Sequence, residues 1–184
     1  MPPLLFIDTE TTGFGPCRLI DLAIGTFVDD MLILEKYRAK PPIPIEIGAQ
    51  AVHHITPKML EELPAFQDLP EYQEILDKIE TGLVVLHNAS FDIGVLEREG
   101  IKVSSYIDTQ VLAKLLLPDQ KCHQLQYLRY QFELDIDAVA HTAEGDVRVL
   151  AGVFTVLMKK LADTTPAAGL ALIEHARRLS LAAK

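Results

Sequence analysis

The sequence lacks the features that mark secreted, membrane or multidomain proteins. Only Cys17 and Cys122 occur in 184 residues, and their spacing forms neither a disulfide framework nor a metal-binding pair. No apolar run approaches the ~20 residues of a transmembrane helix, and the first residues lack the basic start of a signal peptide. Repeats, low-complexity tracts and interdomain linkers are also missing. These absences predict a globular protein of the reducing cytoplasm with no membrane association.

Positive charge is also scarce. The chain has 17 Lys and Arg residues against 26 Asp and Glu residues, which gives a formal net charge of −9. This charge balance argues against a protein that binds duplex DNA through a wide basic surface. A phosphate substrate stays compatible with it if metal ions supply positive charge locally, because part of the acidity is then the metal site itself. The composition therefore favours few phosphate contacts, or a partner that delivers the substrate.

The hydrophobic pattern predicts an α/β fold built on one mixed sheet. Strands are expected at residues 4–8, 19–27 and 31–39, and the short links between them predict antiparallel pairing. A β-α-β unit follows, and a long amphipathic helix begins near Asp146. In that unit, Asn88 or Ser90 is expected to cap the helix that carries Asp92 in its first turn. We assign residues 1–162 to one domain and residues 163–184 to a C-terminal helix packed on it.

Four carboxylates occupy special positions in this pattern. Asp8 and Glu10 close the first strand, where side chains two residues apart share a face. Asp92 and Asp146 each open a helix, and strand ends and helix starts meet along one rim of an α/β sheet. Four such charges repel one another unless cations lie between them, and oxygen ligands suit Mg²⁺ or Mn²⁺. The spacing therefore predicts a two-metal site of the kind that catalyses phosphoryl displacement.

His141 supplies a proton acceptor next to these acids. It precedes Asp146 by five residues and so lies just before the long helix. A neutral imidazole with a pKa near ~6.5 can take a proton from an attacking water molecule. A histidine in front of a helix more often has a structural role. Because four acids are expected at the same rim of the sheet, the general-base role is the better hypothesis for His141.

Three segments, at residues 8–13, 88–92 and 141–146, resemble the three exonuclease motifs of the DEDDh (DnaQ-like) 3′→5′ exonucleases. All five residues of the catalytic pattern are present in order, and the resemblance spans residues 4 to about 161. It implies a ribonuclease H-like fold and hydrolysis of a terminal phosphodiester to a nucleoside 5′-monophosphate. His141, in the place where other relatives have tyrosine, supports the histidine subclass.

The resemblance also implies roles for individual residues. Asp8, Glu10 and Asp146 would hold the first of two divalent cations, Mg²⁺ or Mn²⁺, with Asp8 also bridging to the second. Asp92 would act on the second cation, and His141 would activate the attacking water. The resemblance also implies a role in substrate binding for six further residues: Thr11, Thr12, Gly13, His53, Ile55 and Asn88.

Several alternatives stay open at this point. The favoured substrate is the 3′ end of single-stranded or frayed DNA, in replication or repair, but the same chemistry would serve an exoribonuclease or an oligoribonucleotide-degrading enzyme. A non-catalytic nucleic-acid-binding scaffold on this fold is a weaker alternative because no acid is missing. The acids alone also do not exclude an unrelated metal-dependent phosphatase. A homodimer or docking to a replication or repair partner is compatible with the sequence.

Overall fold

The computed structural model describes residues 2–163, and its centre is a five-stranded sheet. The strands lie in the order β3-β2-β1-β4-β5. Neighbouring strands β1, β2 and β3 pair antiparallel, whereas β4 pairs parallel with both β1 and β5. The predicted mixed sheet is therefore confirmed. The strands are β1 (Leu4–Thr11), β2 (Leu19–Val28), β3 (Met31–Arg38), β4 (Leu83–Leu86) and β5 (Tyr106–Asp108).

Six α-helices flank this sheet within residues 2–163. They are α1 (Ile47–His53), α2 (Tyr72–Thr81), α3 (Ala89–Arg98), α4 (Thr109–Leu116), α5 (Leu125–Gln131) and α6 (Ala143–Ala162). Helix α1 was not among the predicted elements; Pro41, Pro42 and Pro44 lie just before it, and such a segment favours an extended connection. None of the helices in this part of the chain is both long enough and apolar enough to cross a membrane. The C-terminal helix predicted for residues 163–184 lies, apart from Asp163, outside the described residues.

Helices pack on both faces of strand β1, α3 on one face and α6 on the other. Leu5 and Ile7 belong to the core cluster that contains residues of α3. Phe6 faces the other way and packs with Val147 and Leu150 of α6. Asp8 continues the face of Phe6, because side chains alternate along a strand. The carboxyl end of β1 thus lies between the first turns of α3 and α6.

The first strand is longer than predicted. It continues past Asp8 to Thr11, and Glu10 pairs directly with Asp21 of β2 before the register shifts between Glu10 and Thr11. Both acids of this segment are therefore held by the sheet ladder rather than by a loop, which fixes their common face.

Candidate active site

The carboxylates of Asp8, Glu10 and Asp146 form one compact group. One oxygen from each lies within 4.8 Å of the others. Two of these side chains come from the same face of β1, and the third comes from the first turn of α6, which packs on that face. Asp146 is only 9% exposed. The structure thus joins acids that are 136 to 138 positions apart in the sequence.

The electrostatics of this group are unfavourable for negative charge. Burial raises the pKa of Asp8 well above its ordinary value, and the charges of Asp92, Asp146 and Glu10 raise it further. Burial, followed by the charge of Asp146, raises the pKa of Glu10 to about 8. The pKa of Asp146 is also raised by burial, although hydrogen bonds partly oppose the change. Such a cluster needs protons or a cation to be stable.

The donor set fits a hard divalent cation. All three groups offer carboxylate oxygens, which Mg²⁺ and Mn²⁺ prefer, and among residues 2–163 no nitrogen or sulfur ligand belongs to this cluster. The same three acids were assigned to the first cation from the sequence. The acidic cluster is therefore compatible with the binding of a divalent metal.

Asp92 stands next to this group but is not a member of it. It is 6% exposed and accepts a 2.7 Å hydrogen bond from the hydroxyl of Thr9, which points to the opposite face of β1 from Asp8. Burial raises the pKa of Asp92 to about 7, although the hydrogen bond from Thr9 lowers it in part. Thr9 was missed in the sequence, where it is only the residue between two acids.

The start of α3, which carries Asp92, is held by a residue that the sequence did not indicate. Asn88 or Ser90 was expected to cap this helix, but Asn88, the residue at the N-cap position, makes no side-chain capping bond. Instead the buried carboxylate of Asp108 accepts hydrogen bonds from the backbone N–H groups of Asn88 and Ala89. Asp108 also caps α4, so one acid fixes the N-termini of two helices.

His141 occupies the segment just before α6. Its backbone N–H donates to Oδ2 of Asp146 at 3.2 Å, and its imidazole is exposed to solvent. The backbone of His141 has a φ of 59°, an uncommon left-handed conformation for a residue other than glycine. Gly145 permits the close approach of this segment, because a Cβ there would lie 2.0 Å from the carbonyl oxygen of Val139. The predicted base thus lies at the edge of the acid group, with its general-base role still a prediction.

A small apolar pocket adjoins the acids on the side of α1. Its volume is about 140 Å³. Phe14 is 83% exposed, and its ring lies 6.3 Å from that of Phe91. The pocket therefore has the aromatic surface on which a nucleobase can stack. It is lined by Thr9, Glu10, Thr11, Gly13, Phe14, Ala49, Val52, His53 and Phe91.

Three of the predicted substrate-binding residues, Thr11, Gly13 and His53, line this pocket. His53 is 5% exposed, accepts from the N–H of Ile55 at Nδ1, and has Nε2 3.2 Å from the carbonyl oxygen of Thr11. Burial lowers the pKa of His53, which favours a neutral ring that donates to Thr11. His53 therefore braces the end of β1 from inside the protein.

The other three predicted substrate-binding residues do not line the pocket. Thr12 is 2% exposed, and its hydroxyl accepts from the N–H of Arg18. Ile55 is buried in a small apolar cluster with Ile20 and Leu60. Asn88 is exposed at the start of α3. Their roles in substrate binding remain predictions.

Comparison with known proteins agrees with this geometry. Residues 5–154 match the model of the RNase T exonuclease family. The chain is 32% identical over 168 residues to DNA polymerase III subunit epsilon of Treponema pallidum (strain Nichols), across 82% of this chain and 74% of that protein. It is 32% identical over 135 residues to the same subunit of Buchnera aphidicola subsp. Acyrthosiphon pisum (strain APS), across 64% of this chain and 56% of that protein. The chain thus spans little more than half of the Buchnera subunit.

Solved structures show the same architecture. A structure of exonuclease X in complex with 5′ overhanging duplex DNA superposes with a TM-score of 0.72 and 27% identity, covering 85% of this chain and 91% of that chain. The five-stranded sheet with its flanking helices is accordingly of the ribonuclease H-like exonuclease type.

Proposed function

Because this chain belongs to the DnaQ-like 3′→5′ exonuclease family, we propose that it hydrolyses the terminal phosphodiester of single-stranded or frayed DNA 3′ ends and releases nucleoside 5′-monophosphates. The observation that carries the proposal is the carboxylate group of Asp8, Glu10 and Asp146 beside an aromatic pocket. The acids suit phosphoryl chemistry, and the pocket suits one nucleotide.

In this proposal the acids hold two divalent cations, Mg²⁺ or Mn²⁺. Asp8, Glu10 and Asp146 would hold one, and Asp92, which lies near Asp8, would act on the other. Bound cations supply the positive charge that lowers the pKa of water and stabilises the leaving oxygen. The protein's own contribution is the array of carboxylates, which β1 and the first turns of α3 and α6 hold in place before the substrate binds.

The remaining side chains would position the substrate and move the proton. The base of the 3′-terminal nucleotide would stack on Phe14, with Phe91 behind it. The water oxygen attacks the terminal phosphorus, the bond from phosphorus to the O3′ of the preceding nucleotide breaks, and that oxygen leaves. The imidazole of His141 accepts the proton of the attacking water, which its exposure to solvent allows it to release afterwards.

DNA is the favoured polymer for two reasons. Several relatives that match most of this chain are named as DNA polymerase III epsilon subunits, and the 27%-identical structure contains duplex DNA. The net charge of −9 gives weak general attraction for nucleic acid, which favours a replication or repair partner that presents the 3′ end. Two unpaired cysteines fit a cytoplasmic setting, where thiols stay reduced.

Digestion of matched oligonucleotides tests the proposal. Single-stranded DNA and RNA of one sequence, labelled at the 5′ end, are incubated with Mn²⁺ or Mg²⁺, and products are resolved over time. We expect a ladder that shortens from the 3′ end, nucleoside 5′-monophosphate as product, and faster digestion of DNA. Faster digestion of RNA would contradict the DNA assignment and support the exoribonuclease alternative. Shortening from the 5′ end, or 3′-monophosphate products, would contradict the proposed reaction.

A further inference from the structure

Helix α5 contacts the acid group through Gln126. The side-chain amide of Gln126 donates to Oδ1 of Asp146 at 2.5 Å, while the backbone N–H of His141 donates to Oδ2 of the same carboxylate at 3.2 Å. Both oxygens of Asp146 therefore have a fixed donor. Because carboxylate oxygens have further lone pairs, these bonds orient Asp146 without removing its capacity to bind a cation.

One turn further along the same helix, Arg129 holds the segment that leads to His141. Its guanidinium donates to the carbonyl oxygens of Ile136 and Ala138, the second at 3.2 Å. A nitrogen of Arg129 also lies 3.5 Å from the side-chain oxygen of Gln126. Arg129 and Gln126 are neighbours on one helix face because they are three residues apart.

These contacts form a ring of hydrogen bonds that holds the backbone segment leading to the predicted base, His141. The segment begins at the carbonyls held by Arg129 and ends at the N–H of His141 held by Asp146, and Gln126 joins the two anchors. His141 itself has a positive φ, a conformation that persists only where surrounding contacts impose it. No residue of this ring other than Asp146 and His141 was indicated by the sequence.

We propose that Gln126 and Arg129 form a positioning pair that couples the orientation of Asp146 to the placement of His141. The inference rests on the proposed function for its kinetic consequences, but its effect on cation binding does not. Neither residue is expected to touch the substrate. Both act through the two groups that they hold, so their loss should lower the rate of the chemical step more than the affinity for DNA.

The test uses the full chain and two substitutions that remove the hydrogen bonds. Gln126→Met keeps side-chain length, and Arg129→Met keeps the unbranched aliphatic part of the side chain. We expect each to lower kcat by roughly 10- to 100-fold, the scale found for groups that orient metal ligands, while KM for single-stranded DNA changes little. We also expect Gln126→Met to weaken calorimetric binding of Mn²⁺ by about 10-fold in the absence of nucleic acid. Gln131→Met is the matched control, because Gln131 is exposed on the same helix and its side-chain oxygen accepts a hydrogen bond from the side chain of Gln120.

The double variant separates coupling from independent effects. If the two residues act as one unit, kcat of the double variant should be only slightly below that of the single variant with the lower kcat. If they act independently, the two fold-losses in kcat should multiply. Multiplying losses, or wild-type kcat and Mn²⁺ affinity in both single variants, would overturn the proposal. For Gln126→Met, a loss of kcat that accompanies a lowered Tm while Mn²⁺ affinity is unchanged would also overturn it, since that pattern indicates a general structural role. If the wild-type protein showed no exonuclease activity but Gln126→Met still weakened Mn²⁺ binding, the proposed function would fail and the positioning of Asp146 would stand.

Discussion

Carboxylates in two parts of this protein differ in the charges that surround them. Glu99 is 2% exposed, and both its oxygens are bound by Arg18, with further hydrogen bonds from Leu19 and Gln67. Burial alone would raise the pKa of Glu99, but these partners lower it below its ordinary value. Asp8 and Glu10 are surrounded by other acids, and their pKa values are raised.

The difference separates structural acids from functional ones. A buried carboxylate that meets an arginine joins parts of the fold, as Glu99 of the α3 C-terminus joins the start of β2 and the turn before it. A group of buried carboxylates without a basic partner is costly unless a cation completes it. A carboxylate can therefore have a structural or a functional role, and the charge of the groups around it indicates which role applies.

The largest expected effect comes from removing the centre of the acid group. Asp8→Asn should lower kcat/KM by on the order of 10³-fold or more, because a catalytic unit that loses one member loses most of its rate enhancement. Without metal the same change should raise Tm, since it removes a charge that burial and its neighbours disfavour. Digestion kinetics and thermal unfolding in EDTA measure both. A variant that loses activity and stability together would contradict this account.

The next effect concerns the proton acceptor. His141→Ala should lower kcat by roughly 10²- to 10³-fold, the usual contribution of general-base catalysis. Because the imidazole is exposed, Tm should stay near the wild-type value. Steady-state kinetics of the wild type and the variant check the role. Wild-type kcat in the variant would exclude His141 as the base.

The structural acid should respond in the opposite way. Glu99→Ala leaves Arg18 and the N–H of Leu19 without their acceptor, so we expect a loss of roughly 2–4 kcal/mol in the free energy of unfolding. At a temperature where the variant is folded, Mn²⁺ affinity should stay near the wild-type value. Urea unfolding and calorimetry measure the two quantities. Unchanged stability would remove the distinction between the two sets of acids.

The smallest effect is a pH dependence of stability. The pKa of Glu10 is raised from 4.5 to about 8 and that of Asp92 from 3.8 to about 7 in the folded protein. The metal-free folded state therefore keeps protons that the unfolded chain releases, so this contribution is complete below about pH 4 and is lost as pH rises through 7 and 8. The Tm difference between Mg²⁺-containing and EDTA-containing samples should widen over that range, because cations bind the ionised carboxylates. A constant difference would contradict the assignment.

Much of the fold and the main site residues could be predicted from local patterns. Alternation in β1 put Asp8 and Glu10 on one face, and the apolar stripe of α6 placed Asp146 in a first turn. The predicted mixed sheet is confirmed, as is the family. Helix α1 was missed because Pro41, Pro42 and Pro44 dominate the local signal before it.

The rest depends on contacts between distant segments. Asp108 lies 20 residues after Asn88, and it caps α3 because β4 and β5 lie side by side. Gln126 reaches Asp146 only through the packing of α5 against α6. Nothing in the periodicity of a helix distinguishes such a glutamine from one that faces solvent. Partners of site residues are therefore visible in the structure and not in the sequence.

Calorimetric titration of Mn²⁺ tests the central claim most directly, which is that Asp8, Glu10 and Asp146 form the cation site. Wild type, Asp8→Asn and Glu99→Ala are titrated under the same conditions near pH 8, without nucleic acid. We predict that wild type and Glu99→Ala bind Mn²⁺ with similar affinity and that Asp8→Asn binds at least about 10-fold more weakly. Equal Mn²⁺ affinity in wild type and Asp8→Asn would contradict the account.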